Sequence, residues 1–253
     1  MARRATSISL KEVSHFSALA GEWWNPDGAF RILHRLNPLR VEYVKNQTRA
    51  HFVHKLDSSH PFQGLRILDV GCGGGLLAEP LVHLGAKVTG LDASSEAIAV
   101  AVRHAKTSGL SIEYRTGGVE DLAKGKERFD IITAFEIIEH VADLDSFLAA
   151  VARLLKPGGM LILATLNRTP QSFLLGIVAA EYVLGWVPCG THQWTKFVRP
   201  SELVRRLEAQ KITTLDLSGV TFDPLAGTFG LSKDNLRVNY FLTGVKNDGG
   251  RIS

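Results

Sequence analysis

Three groups of residues in this chain have the types and spacing to do chemistry. The first is a glycine cluster, Gly71-Cys72-Gly73-Gly74-Gly75, entered through Asp69 at the end of the apolar run Leu65 to Val70. Glycines where a strand passes into a helix let the backbone turn sharply and let a ligand approach the peptide atoms with no Cβ in the way. A nucleotide-like ligand suits such a crevice. The second is Asp92, closing the next apolar run, Val88-Thr-Gly-Leu-Asp92; a carboxylate there can accept hydrogen bonds from both hydroxyls of a ribose. The third is Glu136, Glu139 and His140, placed after a further apolar run and therefore at the carboxyl end of a strand, where open α/β sheets bind ligands. His140 has the intrinsic pKa of a general base. The same three residues also form a donor set for a divalent ion, with carboxylates favouring magnesium and imidazole also suiting zinc. If the segment is helical, offsets of three and four residues bring Glu136 close to both others. A structural use, with Glu139 paired locally and His140 packed without titrating, is the third reading, and all three stay open. Asn167 and His192 are further polar candidates, each equally suited to bonding a loop.

These residues need elements to hold them. From Leu65 short β-rich runs alternate with longer helical ones, which predicts βαβ units and a parallel sheet. Strands are expected near 65–70, 86–91, 111–115, 129–134 and 159–165, with helices near 76–84, 94–108 and 143–155. Ser94 and Asp143 are candidate N-caps, Gly85 and Gly109 candidate C-terminal stops, and Pro157-Gly158-Gly159 a turn that no helix can cross. Residues 10–56 read as helices, capped at Ser9 or Ser14, with a second helix opening at Asn37-Pro38 and running from Leu39 to Leu56. Beyond the fifth strand, 168–197 breaks the alternation. A helix near 200–210 and strands near 212–221 and 236–246 follow, then a frayed tail from 247 to 253. The division is a helical cap at 1–56, a main domain at 57–246 carrying the insertion 168–197, and the tail.

Composition excludes several classes. The 253 residues are 45% hydrophobic and 21% charged, enough apolar content for a core and too much for wholesale disorder. The net charge of +4 is scattered rather than gathered into a basic arm, so no nucleic-acid partner is expected. Two cysteines, Cys72 and Cys189, make neither a disulfide framework nor a thiolate metal site and favour a reducing compartment. Met1 to Thr6 lacks the apolar core of a signal peptide, and no run approaches the roughly 20 apolar residues of a membrane span.

A nicotinamide-dependent reductase would also have a glycine loop and a ribose acid. Its G-x-G-x-x-G fingerprint, however, needs glycine where Leu76 stands. The pattern present, Asp-x-Gly-x-Gly-x-Gly from Asp69 to Gly75, resembles motif I of class I S-adenosylmethionine-dependent methyltransferases, and Leu155-Lys-Pro-Gly-Gly159 resembles their later motif. That resemblance implies a Rossmann-like α/β fold with a seven-stranded, mostly parallel sheet whose last strand is antiparallel. It implies S-adenosylmethionine as cofactor, with the Asp69–Gly75 loop (Gly71 foremost, then Gly73 and Gly75) against its methionine part, Asp92 on its ribose and Phe135 touching it again.

Over most of its length the chain looks like the ubiquinone-biosynthesis O-methyltransferases. The carrying residues are Phe16-Ser-Ala-Leu-Ala-Gly-Glu-Trp-Trp24, Leu36-Asn-Pro-Leu-Arg40, Glu136-Ile-Ile-Glu-His140, Thr165-Leu-Asn-Arg168, Ala180-Glu-Tyr182, Gly190-Thr-His192 and Val238-Asn-Tyr240. The resemblance implies methylation of a phenolic oxygen on polyprenyl catechols or hydroquinols. It implies that Arg40 meets the methionine carboxylate and that Glu136, Glu139 and His140 hold a magnesium-type ion, as in mitochondrial members. Other small-molecule or lipid methyltransferases, and a non-catalytic assembly protein in contact with quinone-synthesis enzymes, are the competing readings.

The insertion Ser172 to Pro188 carries one charged residue, Glu181, and is too apolar to be freely solvated. An interfacial helix over 172–187, with Tyr182 and Trp186 near the headgroups and Arg168 and Lys196 flanking it, would bring the site to a prenylated substrate. A lid or dimer contact is the alternative. The expected location is cytoplasmic and peripherally membrane-bound, or the matrix face of the mitochondrial inner membrane. Phe16, Trp23 and Trp24 are expected either to close over the substrate ring or to dock a helix on the core.

Overall fold

A computed structural model describes residues 7–52, 60–174 and 193–248. Most of the apolar insertion, with Tyr182, Trp186, Cys189 and His192, lies outside the described residues, as do 53–56 at the end of the expected second helix. The elements are α1 (Leu10–Ala18), α2 (Arg31–His51), β1 (Arg66–Val70), α3 (Ala78–His83), β2 (Lys87–Asp92), α4 (Ser95–Thr107), β3 (Glu113–Thr116), α5 (Val119–Leu122), β4 (Phe129–Phe135), α6 (Leu144–Leu154), β5 (Leu155–Leu166), the single turn α7 (Pro170–Ser172), α8 (Pro200–Ala209), β6 (Ile212–Asp223), β7 (Thr228–Ser232) and β8 (Asn239–Lys246).

One sheet joins all eight strands in the order β3-β2-β1-β4-β5-β8-β6-β7. The first five are parallel, β8 is antiparallel to β5, and β6 and β7 each pair antiparallel with their neighbour. The central parallel strands β1, β4 and β5 are largely apolar because both their faces are covered, whereas β3, Glu-Tyr-Arg-Thr at the sheet edge, is partly exposed. Leu68, Ile132 and Leu161 pack with Phe147 and Leu203 on one side. Ile67, Ile131 and Ile162 pack with Leu81 and Tyr43 on the other.

The α/β alternation follows the sequence expectation, and so do its local signals. Ser94 caps α4 by accepting from the Ala97 N–H, and Asp143 caps α6 by accepting from Asp145 and Ser146. Gly85 and Gly109 have positive φ, as helix stops require. The Pro157–Gly159 turn appears as a shift of register within β5, between the pairs Phe129–Leu155 and Ile131–Met160.

The sheet differs from the expected seven strands by one. Pro224 and Gly227 turn the chain so that β7 folds back on β6, where the Phe222 and Phe229 rings face each other at 5.0 Å and Arg35 lies over both. A second correction concerns Pro38. It opens no helix but sits inside α2, which runs unbroken for 21 residues. Proline removes one intrahelical bond, yet the buried face of Leu36, Arg40, Tyr43, Val44 and Thr48 continues through it. Packing outweighs the local breaker. The expected frayed tail is tied down at its start, where the Asn247 N–H donates to the Lys211 carbonyl.

Candidate active site

A cavity of about 310 Å³ opens where β1, β2 and β4 end, closed from above by the N-terminal segment. Asp69, Gly71, Asp92, Arg40, Phe135, Glu136 and His140, all named from the sequence, line it. Gly73, Gly75 and Glu139 do not.

The glycine loop explains part of this difference. Gly71 and Gly73 have φ of +71° and +52°, in the region that favours glycine. A Cβ at Gly71 would press on Ile137, and one at Gly73 would overlap the Trp23 indole. At Gly75 the obstacle is the Tyr114 hydroxyl. Of the three, Gly71 lines the cavity beside Ile137, while Gly73 and Gly75 make room for the side chains of Trp23 and Tyr114. The N–H of Gly73 is directed at Asp92, whose Oδ2 accepts it at 2.9 Å while Oδ1 accepts from Ser94 N–H at 2.8 Å. Burial pushes the Asp92 carboxyl up, and these two N–H groups pull it back. A carboxylate has about four acceptor sites, so Asp92 keeps capacity for hydroxyls.

Asp69 is enclosed more deeply. Thr133 Oγ1 donates to its Oδ1 at 2.8 Å, whereas Oδ2 has no hydrogen-bond partner among the described residues. Burial raises its pKa to about 7, partly opposed by the Thr133 bond and the positive charge of Arg40. Arg40 lies over the Phe135 ring, 5.4 Å from its centroid, and donates to Glu136 Oε1 at 3.2 Å; its buried Nε finds no partner among the described residues. An acceptor at Asp69 and a donor at Arg40, both unsatisfied in one cavity, match the ammonium and carboxylate of an amino-acid moiety. With Asp92 for a ribose, the residues fit S-adenosylmethionine.

The segment after β4 corrects the helical expectation. Residues 136–140 form a turn, closed by His140 N–H to the Ile137 carbonyl at 2.9 Å, and Glu136 takes φ of +51°. A non-glycine residue held there is uncommon and marks functional sites often. The turn sends the three side chains apart. Glu136 accepts from Arg40 and from Asn239 Nδ2 at 2.9 Å. Glu139, 2% exposed, does not line the cavity and accepts from Thr165 Oγ1 at 2.9 Å. Burial, then the neighbouring Glu136 charge, raises the Glu139 pKa. His140 Nδ1 meets Glu12 Oε2 at 3.1 Å. Among the described residues no three His, Cys, Asp or Glu side chains converge as a metal site would require. The trio does not fit a divalent ion in this arrangement.

His140 remains the base candidate. Burial alone would lower its pKa, but the Glu12 hydrogen bond and the carboxylates of Glu139, Glu12 and Glu136 outweigh it and raise the imidazole. Phe16 packs edge-on against its ring at 5.1 Å. Trp24 stacks on His104 and donates to the Gly74 carbonyl, so the aromatic segment docks on the domain, and Phe16 and Trp23 line the cavity. Asn167 bonds the Leu236 carbonyl, the loop role.

Several lining residues were not picked out by sequence reasoning. Gly117, Gly118 and Val119 follow β3 beside Asp92, and a glycine pair at a strand end was a legible signal. Glu12 and Asn239 reach the site from 128 and 103 residues away; Asn239 stands in the Val238-Asn-Tyr240 match, while no local pattern marks Glu12.

Comparison with known proteins places the chain among methyltransferases. A methyltransferase-domain family model matches residues 68–163. A ubiquinone biosynthesis O-methyltransferase of Chelativorans sp. (strain BNC1) is 51% identical over 243 residues, covering 96% of each chain. Its counterpart in Cereibacter sphaeroides (strain ATCC 17025) is 47% identical, covering 95% of this chain and 98% of the relative. Among solved structures, the Synechocystis magnesium protoporphyrin IX methyltransferase with bound SAH superposes with a TM-score of 0.64 at 18% identity, covering 92% of this chain and 97% of that one. At that identity the likeness shows the fold.

Proposed function

Because the chain belongs to the ubiquinone biosynthesis O-methyltransferase family, we propose that it methylates a phenolic oxygen of polyprenyl catechol and hydroquinol intermediates, with His140 as the base. The enzyme is an S-adenosylmethionine-dependent methyltransferase. What supports the finer reading is one observation: Asp69, Arg40 and Asp92, suited to the two ends of the cofactor, share a cavity with His140, the one imidazole lining it among the described residues.

S-adenosylmethionine, when bound, supplies an electrophilic methyl carbon whose bond to sulfur breaks as the oxygen–carbon bond forms, the electron pair staying on sulfur. Asp69 Oδ2 would hold the ammonium, Arg40 the carboxylate and Asp92 the ribose hydroxyls of that cofactor, and Gly71 and Phe135 would line its path between them. A phenol near pKa 10 is mostly protonated at neutral pH, so His140 must remove its proton as the oxygen attacks. Placement provides much of the acceleration, and a positioned base roughly 10²- to 10⁴-fold more. Val13, Phe16, Leu33 and Ile137 give the cavity apolar walls that exclude water and suit an aromatic ring with a prenyl substituent.

Residues 1–56 act as a cap on the domain at 57–246, and 172–187 as a contact with the membrane surface on the cytoplasmic side. The described start of that segment, with Phe173 and Leu174 exposed, supports this. Methyl transfer from labelled cofactor to a short-prenyl catechol tests the activity. Wild type is expected to give labelled ether. His140→Ala is expected to lose roughly 10²- to 10⁴-fold in turnover while still binding S-adenosylhomocysteine. No ether from wild type rejects the substrate class, and full turnover by the variant rejects His140 as the base.

A further inference from the structure

Glu12 is held unusually firmly for a residue so near the N-terminus. Its side chain is 12% exposed, lines the cavity, and joins two cations: Oε2 lies 3.1 Å from His140 Nδ1 and Oε1 lies 3.2 Å from Lys196 Nζ. The hydrogen bond from His140, then the charges around it, hold its carboxyl at about 2 against the opposing effect of burial. It is a carboxylate at any working pH. The helix that carries it is fastened to the same turn as His140. Ser7, just before α1, accepts from the Ala142 N–H at 2.7 Å and donates its own N–H to Glu120 at 3.0 Å. At the other end Ser17 Oγ meets Ser94 Oγ at 2.7 Å. Phe16, one turn along α1 from Glu12, packs against the imidazole.

A neutral imidazole has one N–H and one lone-pair nitrogen, and a carboxylate on one nitrogen decides which is which. We propose that Glu12 is a positioning residue for methyl transfer: it accepts the Nδ1–H of His140, so that Nε2 carries the lone pair which takes the phenolic proton. This rests on the reading of His140 as the base. The proton moves from the phenol oxygen to Nε2 as that oxygen bonds the methyl carbon, and the imidazolium so formed faces an anion already in place. Among the described residues the other charged groups near the ring are Glu136 and Glu139 on its own turn and Lys196, which holds the far oxygen of Glu12. Lys196 lies near the end of the 168–197 insertion, so the same carboxylate also ties the base to the stretch by which the chain returns to the domain.

The test uses the full chain. Glu12→Gln keeps the size of the side chain but not its charge; kcat with a short-prenyl catechol is expected to fall roughly 10- to 100-fold, while KM and S-adenosylhomocysteine affinity stay within about threefold. Glu12→Asp is expected to recover part of kcat. Wild-type kcat in Glu12→Gln overturns the proposal. So does a parallel loss of kcat, cofactor affinity and melting temperature, which would make Glu12 a tether for α1 only. Nitrogen-15 NMR of labelled histidine in the wild-type protein gives a readout independent of any variant: the neutral His140 ring is expected to carry its proton on Nδ1, and a proton on Nε2 overturns the proposal. If wild type forms no ether, the functional reading fails, while the ring signature still judges the Glu12 contact.

Discussion

At the scale of single residues, Asp69 is the most informative group. It is fully enclosed, bonded through one oxygen only, and its pKa is raised from 3.8 to about 7. An acid whose folded pKa exceeds its unfolded value binds its proton more tightly when folded. Stability therefore falls as pH rises between those two values and the full penalty stands above pH 7. The shift corresponds to about 4 kcal/mol. Asp69→Asn is expected to melt above wild type at pH 8, with the gap shrinking towards pH 5, and to lose most of its affinity for S-adenosylhomocysteine. Wild-type affinity should rise roughly tenfold from pH 6 to pH 8, because an ammonium needs the ionised form; calorimetry showing equal affinity at both would remove Asp69 from the binding role. Asp69 and Asp92 were legible because each ends an apolar run next to glycine. The separate fates of Glu136, Glu139 and His140 were not, since they depend on a left-handed residue at 136 and on partners from α1, α2, β5 and β8.

Elements follow local chemistry where that chemistry has no strong competitor. Asp143 holds the first turn of α6 through Oδ1, which accepts from the N–H groups of Asp145 and Ser146 at 3.1 Å each, and through Oδ2, which accepts from Ser146 Oγ at 2.6 Å. Asp143→Ala is expected to cost about 1 kcal/mol, read as a lower urea midpoint with unchanged slope, and to leave cofactor affinity as it was. An unchanged midpoint would show the cap to be dispensable. The same kind of local signal announced Ser94, Gly85 and Gly109. It failed at Pro38, where one missing hydrogen bond is outweighed by the buried face of α2. The β6–β7 hairpin was also missed, because its turn at Pro224–Gly227 lies outside the alternation used to find strands.

For the whole molecule, the proposed polyprenyl substrate requires the site to reach a lipid tail. Among the described residues no helix is long and apolar enough to cross a membrane. Phe173 and Leu174, where the apolar insertion begins, are 48% and 58% exposed. Deleting 172–187 is expected to abolish sedimentation with liposomes while leaving S-adenosylhomocysteine binding intact; unchanged sedimentation would count against membrane contact. The amino-acid sequence by itself determined the α/β alternation, the glycine turn, the acid at the end of β2 and the helix ends, because each arises from neighbours a few residues apart. The tertiary structure alone decided which glycines face the cavity and which receive Trp23 and Tyr114. It also decided that the turn after β4 spreads its acids instead of gathering them, and that Glu12 meets His140. Those outcomes depend on long-range packing, in which distant segments compete for the same space and the same hydrogen-bonding groups.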